Sequence, residues 1–179
     1  MYFEKICLLN LDCSQLYHEW KNATIIPFVT KTQYIRTAVN KSILDSGQEQ
    51  NLISGNSKVY DIETYNSLSL TNQFKNTYTE KVINEVEKIL NNLKLRSTRI
   101  KYAALKPGGE IKTHTDDGYN DRYHLVVKSN DFSNITIDNK VFSFSEEGAL
   151  YRMYAAVPHS VVNRGNCIRL LLTFDVLKL

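Results

Sequence analysis

TRIKYAAL (98–105), EIKTH (110–114), RYHLVVKS (122–129), NITI (134–137), KVFSF (140–144), ALYRMYAAV (149–157), SVVN (160–163) and IRLLLTFDVL (168–177) follow one another with little but turn residues between them. Each run is short and rich in β-branched, aromatic or aliphatic side chains, the pattern of strands on half-buried sheets. The break Asp138-Asn139-Lys140 predicts a hairpin turn, because Asp and Asn tolerate the backbone conformations a tight turn demands. Strands this closely spaced after a helix favour a double-sheet jelly roll over a parallel α/β fold. The fold class expected is therefore mainly β with helices, a double-stranded β-helix of the cupin-like kind.

Upstream of the strands, SLTNQFKNTYTEKVINEVEKILNNLKL (69–95) places Phe74, Tyr78, Val82, Val86, Ile89 and Leu93 at helical spacing, with Lys and Glu between them. This predicts an amphipathic helix over about residues 70–95, packed by one face on a sheet. Residues 40–60, NKSILDSGQEQNLISGNSKVY, read as a mostly exposed loop of the kind that covers an active site. With no internal repeat and no linker-like cluster among the three prolines, the organisation expected is one domain over 1–179. Within it, 1–97 is an N-terminal elaboration and 98–179 the β-rich catalytic core.

The 179 residues are enough to bury a sizeable core, and 42% hydrophobic with 23% charged residues is ordinary for a globular domain. A net charge of +3 with Lys and Arg scattered makes nucleic acid an unlikely partner, since no basic strip interleaved with aromatics is present. Glu4, Lys5 and Asp12 interrupt the apolar N-terminus, which fits neither a signal sequence nor a membrane span and points to the cytoplasm. Cys7, Cys13 and Cys167 are odd in number and lack metal-knuckle spacing, so free thiols are expected.

The chemistry concentrates in the β-rich stretch. His114 and Asp116 are two residues apart, a spacing that turns both to one face of a strand, and His159 follows 45 residues later (159 − 114), just after an apolar strand. Two imidazoles and one carboxylate can occupy one face of a ferrous ion and leave the other positions open to a chelating cosubstrate and O2. Arg169, ten residues after His159, opens the last strand, where a buried guanidinium can grip the far carboxylate of 2-oxoglutarate in a bidentate fork. Arg122 and His124 share a strand face just beyond the first ligand pair. Taken alone, an HxD pair is more often structural than ligating. Here three of the four histidines, a correctly spaced carboxylate and two arginines fall in order within one β-rich stretch; His18, on the N-terminal side, stands outside that pattern and reads as an exposed helix residue.

LKPGGEIKTHTDDGYNDRYHLVV (105–127) together with PHSVVN (158–163) and RLLLTFDV (169–176) resembles the aspartyl/asparaginyl β-hydroxylase-like group of Fe(II)/2-oxoglutarate oxygenases, which includes hydroxylases of free proline. The shared pattern is a Pro-Gly turn, a His six residues after that Gly, an Arg-x-His pair, a distal His, and an Arg six residues before an Asp. Pro107-Gly108, His114, Arg122-Tyr123-His124, His159 and Arg169 with Asp175 match it, and the resemblance covers about residues 98–179. It implies that His114 and His159 are the iron imidazoles and that Arg169 and Arg122, with His124 beside them, hold the cosubstrate. The animal aspartyl hydroxylases have Gly where this chain has Asp116, so the complete triad looks more like that of the microbial amino-acid hydroxylases. A serine that assists cosubstrate binding in the aspartyl enzymes falls at Ala103, and the neighbouring Tyr102 is the candidate to supply the hydroxyl.

The implied reaction is hydroxylation of an amino acid or amino-acid side chain, with Fe(II), 2-oxoglutarate and O2 as cofactor and cosubstrates and succinate and carbon dioxide as products. Trp20, Tyr34, Arg36, Tyr60 and Tyr65 are candidate pocket or lid residues for a small-molecule or peptide substrate. Asn163 is equally a ligand-orienting residue or a turn cap. Two other classes stand beside this reading: a cupin-like metalloenzyme that does not use 2-oxoglutarate, against which Arg169 argues, and a non-catalytic jelly-roll binding module, against which the three ligand types argue. Oligomeric state is not legible.

Overall fold

A computed structural model describes residues 1–23, 48–54, 74, 76–116 and 121–178. In chain order the elements are β1 (Phe3–Leu8), α1 (Cys13–Asn22), β2 (Gln48–Ser54), α2 (Tyr78–Asn92), β3 (Leu95–Leu105), β4 (Glu110–His114), β5 (Asp121–Lys128), β6 (Ser133–Ile137), β7 (Lys140–Ser143), β8 (Ala149–Tyr154), β9 (His159–Asn163) and β10 (Arg169–Lys178). They form a six-stranded sheet in the order β1-β8-β5-β10-β3-β2 and a four-stranded sheet in the order β4-β9-β6-β7, with every pairing antiparallel. Two facing antiparallel sheets with non-sequential neighbours make the expected jelly roll.

Strand alternation divides the interior into two cores. On β10, Leu170, Leu172, Phe174 and Val176 join Leu16 and Trp20 of α1 and Val82, Val86 and Leu90 of α2 in the core beneath the helices. Leu171 of β10 turns the other way, into a second core shared with Val126, Met153, Ile135, Ile137 and Val161, which lies between the sheets. Because both faces of the large sheet are covered, β5 reads Asp121 to Val127 as one continuous buried run.

Helix α2 begins at Tyr78, later than the apolar periodicity from 70 suggests. Thr77 caps it, accepting from the Glu80 backbone N–H, and the Glu80 carboxylate accepts from the Asn76 N–H at 2.7 Å. Thr77-x-x-Glu80 has the sequence of a capping box, but the Glu80 carboxylate reaches one residue further back, to Asn76, while the Thr77 N–H donates to the Phe74 carbonyl; the cap is a stronger start signal than the period itself. The helix ends at Asn92: Lys94 is left-handed at φ 57°, which turns the chain straight into β3, three residues before the strand expected from Thr98. A second correction concerns 40–60. Gln48–Ser54 is not loop but an edge strand, paired with β3 from Gln48↔Leu105 to Ser54↔Ile100, while 40–47 and 55–60 lie outside the described residues. The hairpin at 138 forms as a two-residue turn, with Asp138 and Asn139 both left-handed at φ 50° and 60° and Ile137 paired with Lys140.

Trp20 is buried under the helices at 7% exposure, which makes it a core residue and not a pocket wall; Tyr34, Arg36, Tyr60 and Tyr65 lie outside the described residues. The three cysteines are free. No described helix is long and apolar enough to cross a membrane.

Candidate metal centre

Pro107 and Gly108 form the turn that delivers β4. The Gly109 N–H donates to the Lys106 carbonyl at 2.9 Å, and Gly108 sits at φ 75°, a conformation that favours glycine after proline in such a turn. The same turn is tied to β9, because Gly108 N–H donates to the Asn163 carbonyl at 2.8 Å and Asn163 N–H to the Gly109 carbonyl at 3.0 Å. The fully buried Asn163 side chain donates to the Leu105 and Cys167 carbonyls, each at 2.9 Å, and accepts from Asn130 and the Gly165 N–H. Of its two sequence readings, the turn-holding one matches this environment. β4 and β9 are thereby locked in register, with His114 directly opposite His159.

The two imidazoles thus stand on neighbouring strands of the small sheet. Their ring centroids are 4.3 Å apart. Each Nδ1 lies against the carbonyl two residues earlier, Lys112 for His114 at 2.8 Å and Val157 for His159 at 2.9 Å. A carbonyl can only accept, so each ring carries its proton on Nδ1 and leaves the Nε2 lone pair for a ligand. Both Nε2 atoms face Asp116, at 3.8 Å for His114 and 3.5 Å for His159, and one ligand atom from each of the three residues lies within 4.8 Å of the others. These separations are too long for hydrogen bonds and suit a shared cation.

Asp116 lies just past the end of β4, with its N–H donating to the Ala155 carbonyl at 3.0 Å. Burial alone would raise its carboxyl, but Arg122, His159 and Lys101 together hold it well below the usual carboxylate range, so it is ionised and able to ligate. Burial also lowers the His114 ring, which favours the neutral, ligating form.

Behind the triad the large sheet contributes a row of polar side chains. Strand alternation sets Lys101, Ala103, Arg122, His124, Thr173 and Asp175 on the face opposite the helix-side core. Arg122 Nη1 reaches Asp116 Oδ2 and its Nε reaches Asp175 Oδ1, both at 2.5 Å. His124 is buried against Phe144 with its Nδ1 lacking a hydrogen-bond partner among the described residues, and burial followed by Arg122 and Arg169 pushes it well below the ordinary histidine value. Arg169 is 2% exposed, its guanidinium carbon is 5.7 Å from the Phe144 ring centroid, and its buried Nε has no partner among the described residues. Burial pushes its pKa down to about 10, which leaves it cationic at neutral pH. A guanidinium kept dry with an unpaired donor is costly unless an anion completes it.

Tyr102 is not part of this site. Its fully buried ring packs against Phe74 beneath the helices, and its hydroxyl shares a 2.9 Å hydrogen bond with Thr79 of α2. Adjacent residues of a strand face opposite ways, so Tyr102 cannot stand in for a hydroxyl at Ala103. Sequence reasoning also passed over Lys101, whose parity with Ala103 was the available signal, and gave no role to Asp175.

A family model described as aspartyl/asparaginyl beta-hydroxylase matches residues 33–178, extending well upstream of the motifs. None of the curated proteins matches the sequence. Among solved structures, the chain is similar to an oxidoreductase of the 2OG-Fe(II) oxygenase family from Burkholderia pseudomallei, at 10% identity and TM-score 0.54, covering 92% of this chain and 77% of the other. It is also similar to the viral collagen prolyl hydroxylase of Paramecium Bursaria Chlorella virus-1 in complex with 2OG, at 13% identity and TM-score 0.58, covering 100% of this chain and 97% of that one. At these identities the structural likenesses are likenesses of fold.

Proposed function

The chain belongs to the aspartyl/asparaginyl β-hydroxylase family of 2-oxoglutarate- and iron-dependent oxygenases, and from that premise we propose that it hydroxylates an amino acid or amino-acid side chain at a centre held by His114, Asp116 and His159. The observation that carries this reading is the pair of imidazoles pinned by their own backbone carbonyls, with both Nε2 atoms facing one ionised carboxylate. Ferrous iron and 2-oxoglutarate, when bound, supply the oxidising power: one oxygen atom of O2 enters the substrate C–H bond and the other ends in succinate as carbon dioxide leaves.

The residues' own work is to hold and orient. Arg169 takes the far carboxylate of the cosubstrate in the dry pocket beside Phe144, and Arg122 with His124 lines the space between that clamp and the triad. Neutral His124 can accept or donate without adding a charge. Val126, Met153, Phe144 and Leu171 form the apolar wall that excludes water from the interior.

Among the described residues, Lys101, Arg122 and Arg169 share this face with Asp116 and Asp175, and the buried Arg169 guanidinium is the group placed to meet a carboxylate.

Anaerobic titration of the Fe(II)-loaded protein with 2-oxoglutarate tests the class, the expected result being a weak visible charge-transfer band. Succinate release with free amino acids and with peptides then separates the two substrate forms. Iron binding without the band would favour a metalloenzyme that does not use 2-oxoglutarate.

A further inference from the structure

Arg122 stands between two carboxylates, one on β10 of the large sheet and one just past the end of β4. Its Nε meets Asp175 Oδ1 and its Nη1 meets Asp116 Oδ2, each at 2.5 Å. Asp175 is 1% exposed on β10 and is the direct strand partner of Arg122 on β5. We propose that Asp175 is a positioning residue of the metal centre, acting on Asp116 through Arg122. The proposal rests on the reading of His114, Asp116 and His159 as ligands and assigns a function to a residue that reading leaves idle.

Asp116 needs such a hold. It lies beyond the end of β4, in no strand ladder, and among the described residues a single backbone bond, to the Ala155 carbonyl, ties its main chain down. A guanidinium is planar, and its donors project at fixed angles. Once Asp175 grips Nε from the rigid centre of the large sheet, the direction of Nη1 is set, and with it the side on which Asp116 Oδ2 rests. Asp175 also supplies charge balance. Arg122 beside a ligand carboxylate would otherwise oppose the approach of a divalent cation, and the buried Asp175 carboxylate offsets that charge. A purely stabilising role is the weaker explanation, because buried ion pairs frequently contribute little net stability relative to apolar residues of the same size.

Mn(II) binding to the metal-free full chain, followed by electron paramagnetic resonance without cosubstrate or turnover, tests this. Wild-type protein should bind Mn(II), and Asp175→Asn should weaken binding by about 10–100-fold, the range seen when a partner one step behind a metal ligand is removed. In an Arg122→Met background the same substitution should add less than about a twofold change, since the intermediary is gone. Arg122→Lys keeps the charge but not the fork, should weaken Mn(II) binding comparably, and decides the matter if Asp175→Asn fails to fold. Wild-type affinity in Asp175→Asn or Arg122→Lys would overturn the proposal, as would an undiminished effect of Asp175→Asn in the Arg122→Met background. Failure of the wild-type chain to bind Mn(II) would remove the ligand assignment itself, a different result from a wild-type chain that binds and a variant that binds equally well.

Discussion

His114 and His159 are partners across the β4–β9 ladder, and each turns its Nδ1 back onto the carbonyl two residues before it. The ladder brings the rings together, and the backbone contact fixes which nitrogen is left to ligate. Rotating either ring away would cost a hydrogen bond, so the site is built before any ion arrives.

His114→Ala and His159→Ala should each lower Fe(II) affinity by more than the roughly 10–100-fold expected for an outer partner, since each removes a ligand. His159 is 3% exposed whereas the His114 side chain is 37% exposed, so His159→Ala should also destabilise the metal-free fold and His114→Ala should leave it nearly unchanged. Equilibrium dialysis of iron and urea unfolding of both variants separate the two effects. Undiminished iron binding by His114→Ala would sink the triad.

Arg169→Ala should retain Fe(II) and raise the 2-oxoglutarate requirement, because the residue lies at the start of β10 and none of its described contacts is to the triad. Losing a desolvated partner of a carboxylate costs roughly 2–5 kcal/mol. Arg169→Lys should recover part of this, a compact ammonium being unable to make the two-point fork. Cosubstrate titration under anaerobic conditions reads both, and unchanged affinity in Arg169→Ala would mean that the cosubstrate carboxylate binds elsewhere.

Much of the architecture was legible because the strands carry their own punctuation. Asp138-Asn139 marks one hairpin, Pro107-Gly108 marks the turn before β4, and the histidine and arginine spacings fall where those turns place them. What escaped the sequence has identifiable physical causes. Gln48–Ser54 is an edge strand held to β3 by backbone pairing, and QEQNLIS shows no apolar alternation to announce it. The helical period ran back to residue 70 past Thr77, whose side chain caps the helix at the Glu80 N–H and ends the extrapolation. Tyr102 was assigned to the wrong face because proximity in sequence to Ala103 was weighed above the two-residue period of a strand. The Asp116–Arg122–Asp175 chain runs from just past the end of β4 to the large sheet, and only the fold brings its members together.

Acid should destabilise the metal-free protein through His124. Burial first, and then Arg122 and Arg169, lower its folded pKa well below the ordinary 6.5, so between the two values the unfolded chain holds a proton that the folded chain does not. Stability therefore falls as pH drops through about 6.5, by up to about 1.4 kcal/mol per pH unit for this one group. His114 is lowered in the same direction and adds to the slope. Urea unfolding at pH 7, 6 and 5 should show a shallower slope for His124→Gln than for wild type, and an equal slope would mean that His124 is charged in the fold.

Glu19 should prove to be a structural clamp with no part in metal binding. Its carboxylate, on α1, accepts from the Tyr78 N–H at 2.9 Å, the Thr79 N–H at 2.8 Å and the Thr79 hydroxyl at 2.7 Å, so one helix caps the first turn of the other. Thr79 in turn bonds the buried Tyr102 hydroxyl, which continues the link into β3. Removing the acceptor leaves first-turn N–H groups unmet and deletes a favourable charge at a helix N-terminus. Glu19→Ala should cost about 1–3 kcal/mol of unfolding free energy, and Glu19→Gln less, because its amide oxygen still accepts. Both variants should bind Fe(II) as wild type does, since the clamp lies on the helix side of the large sheet and the triad on the other; a loss of iron affinity without loss of stability would show that the helix layer tunes the site.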